Sequence, residues 1–318
     1  MRALPETLLP APVGKAFQDG KKRLVRLASR VLNRCGLNVA RMSDYHSPLP
    51  VMSDLEKNAR RWTKPSGLVG VRYDIQAMKS LLTDLVSKYS AEYAAMPTYY
   101  ENASRGYGPG YTALDAMVLY FMIRDIKPRR YVEVGSGLST YYAFLAAQQN
   151  AKEGRPLKIT CIEPYPYEAL LAIPDIEIFQ KEVQDVQLSA FEQLDAGDIL
   201  FVDSSHIVRI DGDVPYLHLE VIPRLKKGSI VHVHDVPFPY NIPYPPELWV
   251  LGAKWPVFWN EAMLLQAFLC YNDVYTILLS TPLLRFHEED FLRSIVRNYE
   301  PVSQSPNTFS SIWIERTG

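Results

Sequence analysis

The sequence predicts an α/β protein: a doubly wound, mainly parallel seven-stranded sheet behind a helical N-terminal extension. Three observations carry this. From residue 130 onward, short β-branched runs alternate with stretches of helical periodicity. The first of those runs ends in a glycine turn, Gly135-Ser136-Gly137, that passes directly into a helix. The chain closes with two strand-like runs, Val274 to Leu279 and Ser310 to Glu315, suited to an antiparallel addition at one edge.

Taken in order, residues 1–42 form a basic leader in which Leu24, Leu27, Ala28, Val31 and Leu32 share a helical face among Lys22, Arg23, Arg26, Arg30 and Arg34. The ordinary expectation for such a helix is one stripe packed on its own domain, with weak peripheral membrane association through residues 15–41 as the alternative. Residues 43–67, with Pro48, Pro50, Pro65 and Gly67, read as a connection. Ile75, Met78, Leu81, Leu82, Leu85, Val86 and Tyr89 mark a helix over 74–93. The stretch 97–111 is irregular and rich in tyrosine and glycine, and a helix over 112–125 follows, stopped by Lys127-Pro128. Strands are then expected at 130–134, 158–162, 176–179, 198–202 and 229–234, a helix at 215–223 and another at 259–270. We divide the chain into a leader and cap, 1–110, and a catalytic domain, 111–318.

Composition narrows the function. Hydrophobic residues make up 47% and charged residues 22%, enough for a substantial core. A net charge of -1 argues against a dedicated nucleic-acid binder. That average hides an asymmetry: residues 1–41 hold nine basic and two acidic residues, a net of +7, leaving -8 for the remainder. Three widely spaced cysteines, Cys35, Cys161 and Cys270, suggest a reducing compartment and no disulfide framework. With no signal-type apolar segment and no run of the ~20 apolar residues a membrane span needs, a soluble cytoplasmic protein is expected.

The chemistry-bearing residues fall at predicted strand ends. Glycines at 135 and 137 let backbone approach a ligand, and the helix behind them offers free N–H groups. Glu163 ends the second strand, 28 residues past Gly135, where an acid can accept both hydroxyls of a ribose. Asp203 ends the fourth strand, with His206 three residues on; His234 and Asp235 end the fifth. Two carboxylates and two imidazoles converging on one edge are what general-base or metal-assisted chemistry requires. His232 reads as a satisfied core histidine, and His46, His218 and His287 as structural.

These residues resemble a known group. Glu133-x-Gly135-x-Gly137-x-Ser139, Glu163, Asp203-Ser-Ser-His206 and His234-Asp235 look like the class I S-adenosylmethionine-dependent methyltransferases, in particular the bacterial methyltransferase family 24, near small-molecule and sugar O-methyltransferases. The resemblance covers about residues 111–318. It implies that Gly135, Ser136, Gly137 and Ser139 cradle the methionine part of the cofactor, that Glu133 orders that loop or holds the amino group, and that Glu163 binds the ribose. Asp203 would border the methyl-transfer site, and Asp185 would flank the adenine. A further similarity to catechol-type O-methyltransferases implies a divalent cation such as Mg2+ at Asp203 and Asp235, with His206 as the base. This chain departs from that pattern, carrying His234-Asp235 where those enzymes have Asp-Asn, and Ser139 where a third glycine is common.

The acceptor expected is a small-molecule hydroxyl, with a sugar or glycan leading. Residues 237–259 offer proline-stiffened aromatic faces (Phe238, Tyr240, Tyr244, Trp249, Trp255, Phe258, Trp259), and the stretch 99–111 would close over the site. Two rivals stand beside this reading. A nicotinamide-dependent oxidoreductase would want glycine where Thr140 stands. A non-catalytic protein of the same fold would dock through the basic leader.

Overall fold

A computed structural model describes residues 25, 27–35, 37, 46–297, 299 and 311–318. The expectations for residues 1–24, and for Ser310 at the start of the last strand, lie outside the described residues. The chain divides into two compact units, residues 1–58 and 59–318. Residues 59–110, which the sequence reading joined to the leader, lie in the second unit.

That unit is built on seven strands: β1 (Arg130–Val134), β2 (Lys158–Ile162), β3 (Ile176–Phe179), β4 (Ile199–Val202), β5 (Ile230–Val233), β6 (Tyr275–Ser280) and β7 (Ile312–Arg316). Their order is β3-β2-β1-β4-β5-β7-β6. The first five run parallel, and β7 is antiparallel to both its neighbours. The expected antiparallel addition is therefore present, with β7 wedged between β5 and β6. β4 and β5 are buried along their whole length, which explains the unbroken apolar run of β4 and the β5 run interrupted only by His232.

Register sets the position of the site. Val134 pairs with Ile162 on one side and Val202 on the other, and Val202 pairs with Val233. The next residue of each strand therefore stands just past the same sheet edge: Gly135, Glu163, Asp203 and His234.

Among the described residues of that unit, the five longest helices are α1 (Ile75–Ala94), α2 (Ala113–Ile126), α3 (Leu138–Lys152), α4 (Glu261–Leu269) and α5 (Thr281–Ile295), and the helix expected at 215–223 is present as consecutive helical turns from Asp213 to Arg224. The Asp74 carboxylate caps α1, accepting from the N–H groups of Gln76 and Ala77 at 2.9 and 3.0 Å. Its stripe Met78, Leu82 and Leu85 is fully buried, as the periodicity predicts. α2 is capped by Thr112 and ends at Lys127 in a left-handed conformation (φ 53°) just before Pro128. Helix α5 was not anticipated. Glu288 inside it leaves helical geometry (φ -144°), so no single period runs through its sequence.

Candidate active site

The glycine turn is held from beneath by Glu133. This carboxyl is fully buried and accepts hydrogen bonds from the hydroxyls of Ser139 and of Thr140, the latter at 2.6 Å. The hydroxyl residues at 139 and 140, which depart from an all-glycine loop, thus tie the first turn of α3 to β1. Burial pushes the Glu133 carboxyl up to about 8, against the two hydroxyls.

Gly135 has φ +80°, and a Cβ there would lie 1.8 Å from the backbone carbonyl oxygen of Asp203. The β1 turn and the β4 tip touch at this point, and only glycine permits it. Gly137 is extended; a Cβ on it would meet the carbonyl oxygen of Tyr107 at 2.8 Å. Tyr107 also stacks on Tyr141 of α3, with centroids 4.5 Å apart. The tyrosine-glycine stretch therefore lies against the glycine turn. Beside it opens a cleft of about 560 Å3, lined by Tyr99, Gly106, Gly108, Tyr111, Leu138 and Tyr167.

Glu163 stands at the tip of β2. One carboxylate oxygen accepts from the N–H of Ser136 at 3.1 Å and the other from that of Tyr165 at 2.8 Å. Both oxygens keep lone pairs for a ligand, and the backbone fixes their direction. Asp185 is exposed in the loop after β3.

At the tips of β4 and β5 the structure gathers an alternating chain of carboxylates and imidazoles. Asp115 meets His234 Nε2 at 3.2 Å, and His234 Nδ1 meets Asp203 at 3.2 Å. The same Asp203 oxygen lies 3.2 Å from His206 Nε2. His206 Nδ1 meets Glu261 at 2.8 Å, and Glu261 meets His218 Nε2 at 2.8 Å. Asp235 joins from the side, 3.5 Å from His206 Nε2. His206 and Asp235 both adopt positive φ (58° and 54°), which turns the two side chains toward each other past the strand ends.

The ionisation states follow from this mixture. Burial works to lower the His206 pKa, but its bonds to Asp203 and Glu261 prevail and push it up to about 10. His234 is likewise driven well above its ordinary range, burial being outweighed by the charges of Asp235 and Asp203. Burial works to raise Asp203, but His234 and His206 hold it below the usual carboxylate range. Glu261 is brought down to about 2 by His206 and His218, again against burial.

All four strand-end residues singled out in the sequence, Asp203, His206, His234 and Asp235, are thus in one cluster. His234 is fully buried, however, and turned toward Asp115 and Asp203 rather than into open space. Sequence reasoning missed Asp115 and Glu261. Asp115 lies in the first turn of α2 and Glu261 at the start of α4, far from the strand-end motifs. The one available signal was an acid inside an otherwise apolar helix start, as in Asn260-Glu261-Ala262-Met263-Leu264. His218, read as structural, belongs to the network through Glu261.

The segment Trp259-Asn260-Glu261 clasps the His206 loop as a unit. The Trp259 ring packs 4.6 Å from the His206 ring, the Asn260 N–H donates to the His206 carbonyl at 3.0 Å, and the Asn260 side chain accepts from Val208 N–H at 2.6 Å. His232 is core, as expected, but not satisfied. Both ring nitrogens lack a partner, and the ring instead stacks on Trp313 at 3.8 Å and 12°, with burial holding it neutral. In the aromatic loop, Tyr240 and Tyr244 stack at 3.9 Å, whereas Trp255 is 75% exposed.

Similarity to known proteins is partial. A protein of Archaeoglobus fulgidus described as uncharacterised is 38% identical over 87 residues, which are 26% of this chain. The chain spans only 38% of that relative's length. An SAH-bound methyltransferase of Podospora anserina overlays on 86% of this chain and 99% of its own, at 16% identity and a TM-score of 0.40. The O-methyltransferase TomG of Streptomyces achromogenes, in complex with SAM, covers 84% of this chain and 96% of its own, at 13% identity and a TM-score of 0.41. Overlays this loose carry no residue correspondence. The family match is direct: residues 132–236 match a methyltransferase-domain family, and they run from within β1, through the glycine turn and both strand-end motifs, to the residue after Asp235. Over that segment, about a third of its length, the chain matches this methyltransferase family.

Proposed function

We propose that the protein transfers a methyl group from S-adenosylmethionine to a hydroxyl of a small molecule, with a sugar or glycan as the leading acceptor class. The observation that carries this is the contact between Gly135 and the Asp203 carbonyl. It sets a backbone turn suited to a cofactor directly against a cluster of carboxylates and imidazoles suited to hydroxyl chemistry.

In this reading Glu133, Ser139 and Thr140 hold the turn Gly135-Ser136-Gly137 in shape, and the Glu163 carboxylate takes the ribose hydroxyls. Bound S-adenosylmethionine supplies an activated methyl on a sulfonium, so that the acceptor O–C bond forms as the C–S bond breaks. The protein's share is alignment and removal of the hydroxyl proton. His206 is the group for that proton. In the cluster as it stands, its raised pKa keeps it an imidazolium, which cannot accept one.

The donor set fits a divalent cation that would displace that charge. One ligand atom each from Asp203, His206 and Asp235 lies within 4.8 Å of the others. Mg2+ or another divalent cation held there would orient the acceptor oxygen and favour its ionised form. His234, turned inward, supplies no ligand, so this site draws its third donor from His206 rather than from the residue preceding Asp235. With a cation held by Asp203 and Asp235 alone, the His206 pKa would be lowered by its charge and the imidazole freed to act as the base. With His206 as the third ligand, ionisation of the hydroxyl would be favoured by the cation itself and the imidazole would take no proton.

Calorimetric titration tests the reading. S-adenosylmethionine should bind at roughly micromolar Kd and NADH should not. Glu163→Ala should weaken binding by about tenfold or more, the loss expected when a charged hydrogen-bond acceptor is removed. A folded wild-type protein that binds NADH and ignores S-adenosylmethionine would sink it.

A further inference from the structure

We infer that the helix of residues 27–34 is a peripheral docking element for an anionic lipid surface. Residues 27–34 are helical, and the backbone closes behind them with the N–H groups of Cys35 and Leu37 both donating to the Leu32 carbonyl at 2.9 Å. None of the described residues of this helix is buried. Val25, Leu27, Val31 and Leu37 stand 57%, 61%, 55% and 48% exposed. At 100° per residue, Val25, Leu27, Ala28, Val31 and Leu32 occupy one broad face, while Arg30 and Arg34 fall on the other side. No acidic residue stands between Asp19 and Asp44.

An apolar face bordered by arginines, without acids, is the pattern of a helix that lies in the interface and sends its cations to lipid phosphates. It lies on the surface rather than crossing it, since no described helix is long and apolar enough to span a membrane. Charge favours the leader for such a contact: it carries +7, whereas the remainder carries a net -8. A nucleic acid would satisfy the arginines but has no use for Leu27 and Val31. A contact with another protein surface would bury those two residues without requiring lipid.

Vesicle co-sedimentation of the full chain decides the matter. Wild type should adsorb about tenfold more strongly to vesicles containing ~30% phosphatidylserine than to pure phosphatidylcholine, and should wash off as salt rises. Arg30→Gln with Arg34→Gln, and separately Leu27→Ser with Val31→Ser, should each reduce adsorption several-fold. Both pairs are at the surface and leave the core untouched. Equal adsorption to neutral and anionic vesicles, or none to either, overturns the proposal and assigns the helix to a protein contact. Loss on arginine replacement but not on Leu27 and Val31 replacement also overturns it, in favour of simple polyanion binding.

Discussion

At the residue scale the site rests on a few positions that tolerate no substitute. Gly135→Ala puts a methyl 1.8 Å from the Asp203 carbonyl at a backbone φ of +80°. Strain and overlap together should cost about 3 kcal/mol and abolish S-adenosylmethionine binding, read by denaturant unfolding and calorimetry. Glu261→Ala leaves His206 and His218 in a buried site without their shared counter-charge, and should cost about 3–5 kcal/mol in the same unfolding experiment. Glu261→Gln keeps an acceptor for one imidazole and should lose less. Glu133 gives a pH signature. Its folded-state pKa of about 8 lies above the ordinary 4.5, so the unfolded chain releases the proton first and stability falls as pH rises between those values. Thermal melts across that window should decline for wild type and run flatter for Glu133→Gln; identical slopes would refute the assignment. Of these residues, the strand-end members were legible in the sequence because a strand's end fixes where its last side chain emerges. Glu261 and Asp115 were not, since their partners lie 55 and 119 residues away and no local pattern encodes that pairing.

At the element scale, the strands were legible to within one or two residues, because each parallel strand is a short run rich in β-branched and other apolar residues closed by a turn. α5 was not, its period being broken at Glu288. The placement of the stretch 99–111 was legible only as an intention. Its composition marked it as a covering loop, but its seat comes from a backbone contact, Tyr107 against Gly137, that side-chain patterns do not report. That contact predicts a separation of effects. Gly137→Ala forces the Tyr107 carbonyl outward from 2.8 Å without touching the sheet. Cofactor affinity should fall about tenfold, whereas Tm should move by less than about 4 °C. A large drop in Tm with unchanged affinity would show that the stretch serves the core instead of the cleft.

At the scale of the whole molecule, the unit of residues 59–318 holds its own core. Among the described residues, its continuous cluster of buried apolar side chains begins at Leu68 and runs through the sheet and α1 to Ile314. The entry to this unit is pinned down locally: the Ser66 N–H donates to the Pro239 carbonyl at 2.8 Å, and the Tyr271 N–H to the Gly70 carbonyl at 2.7 Å. Gly70 sits at φ +82° with Cys270 packed where a side chain would project. Removing residues 1–58 therefore removes no described member of that buried cluster and no residue of the carboxylate–imidazole network. A chain of residues 59–318 should fold, melt within about 4 °C of the full protein and bind S-adenosylmethionine with the same affinity, while losing adsorption to anionic vesicles. Starting instead at residue 111 would delete α1, and with it the buried stripe Met78, Leu82 and Leu85. That truncation exposes three fully buried side chains' worth of partner surface and should yield aggregated or molten protein, visible as loss of a cooperative melt. If the 111–318 chain melted cooperatively and the 59–318 chain did not, the boundary would lie where the sequence reading set it, and the packing of α1 on the sheet would be incidental.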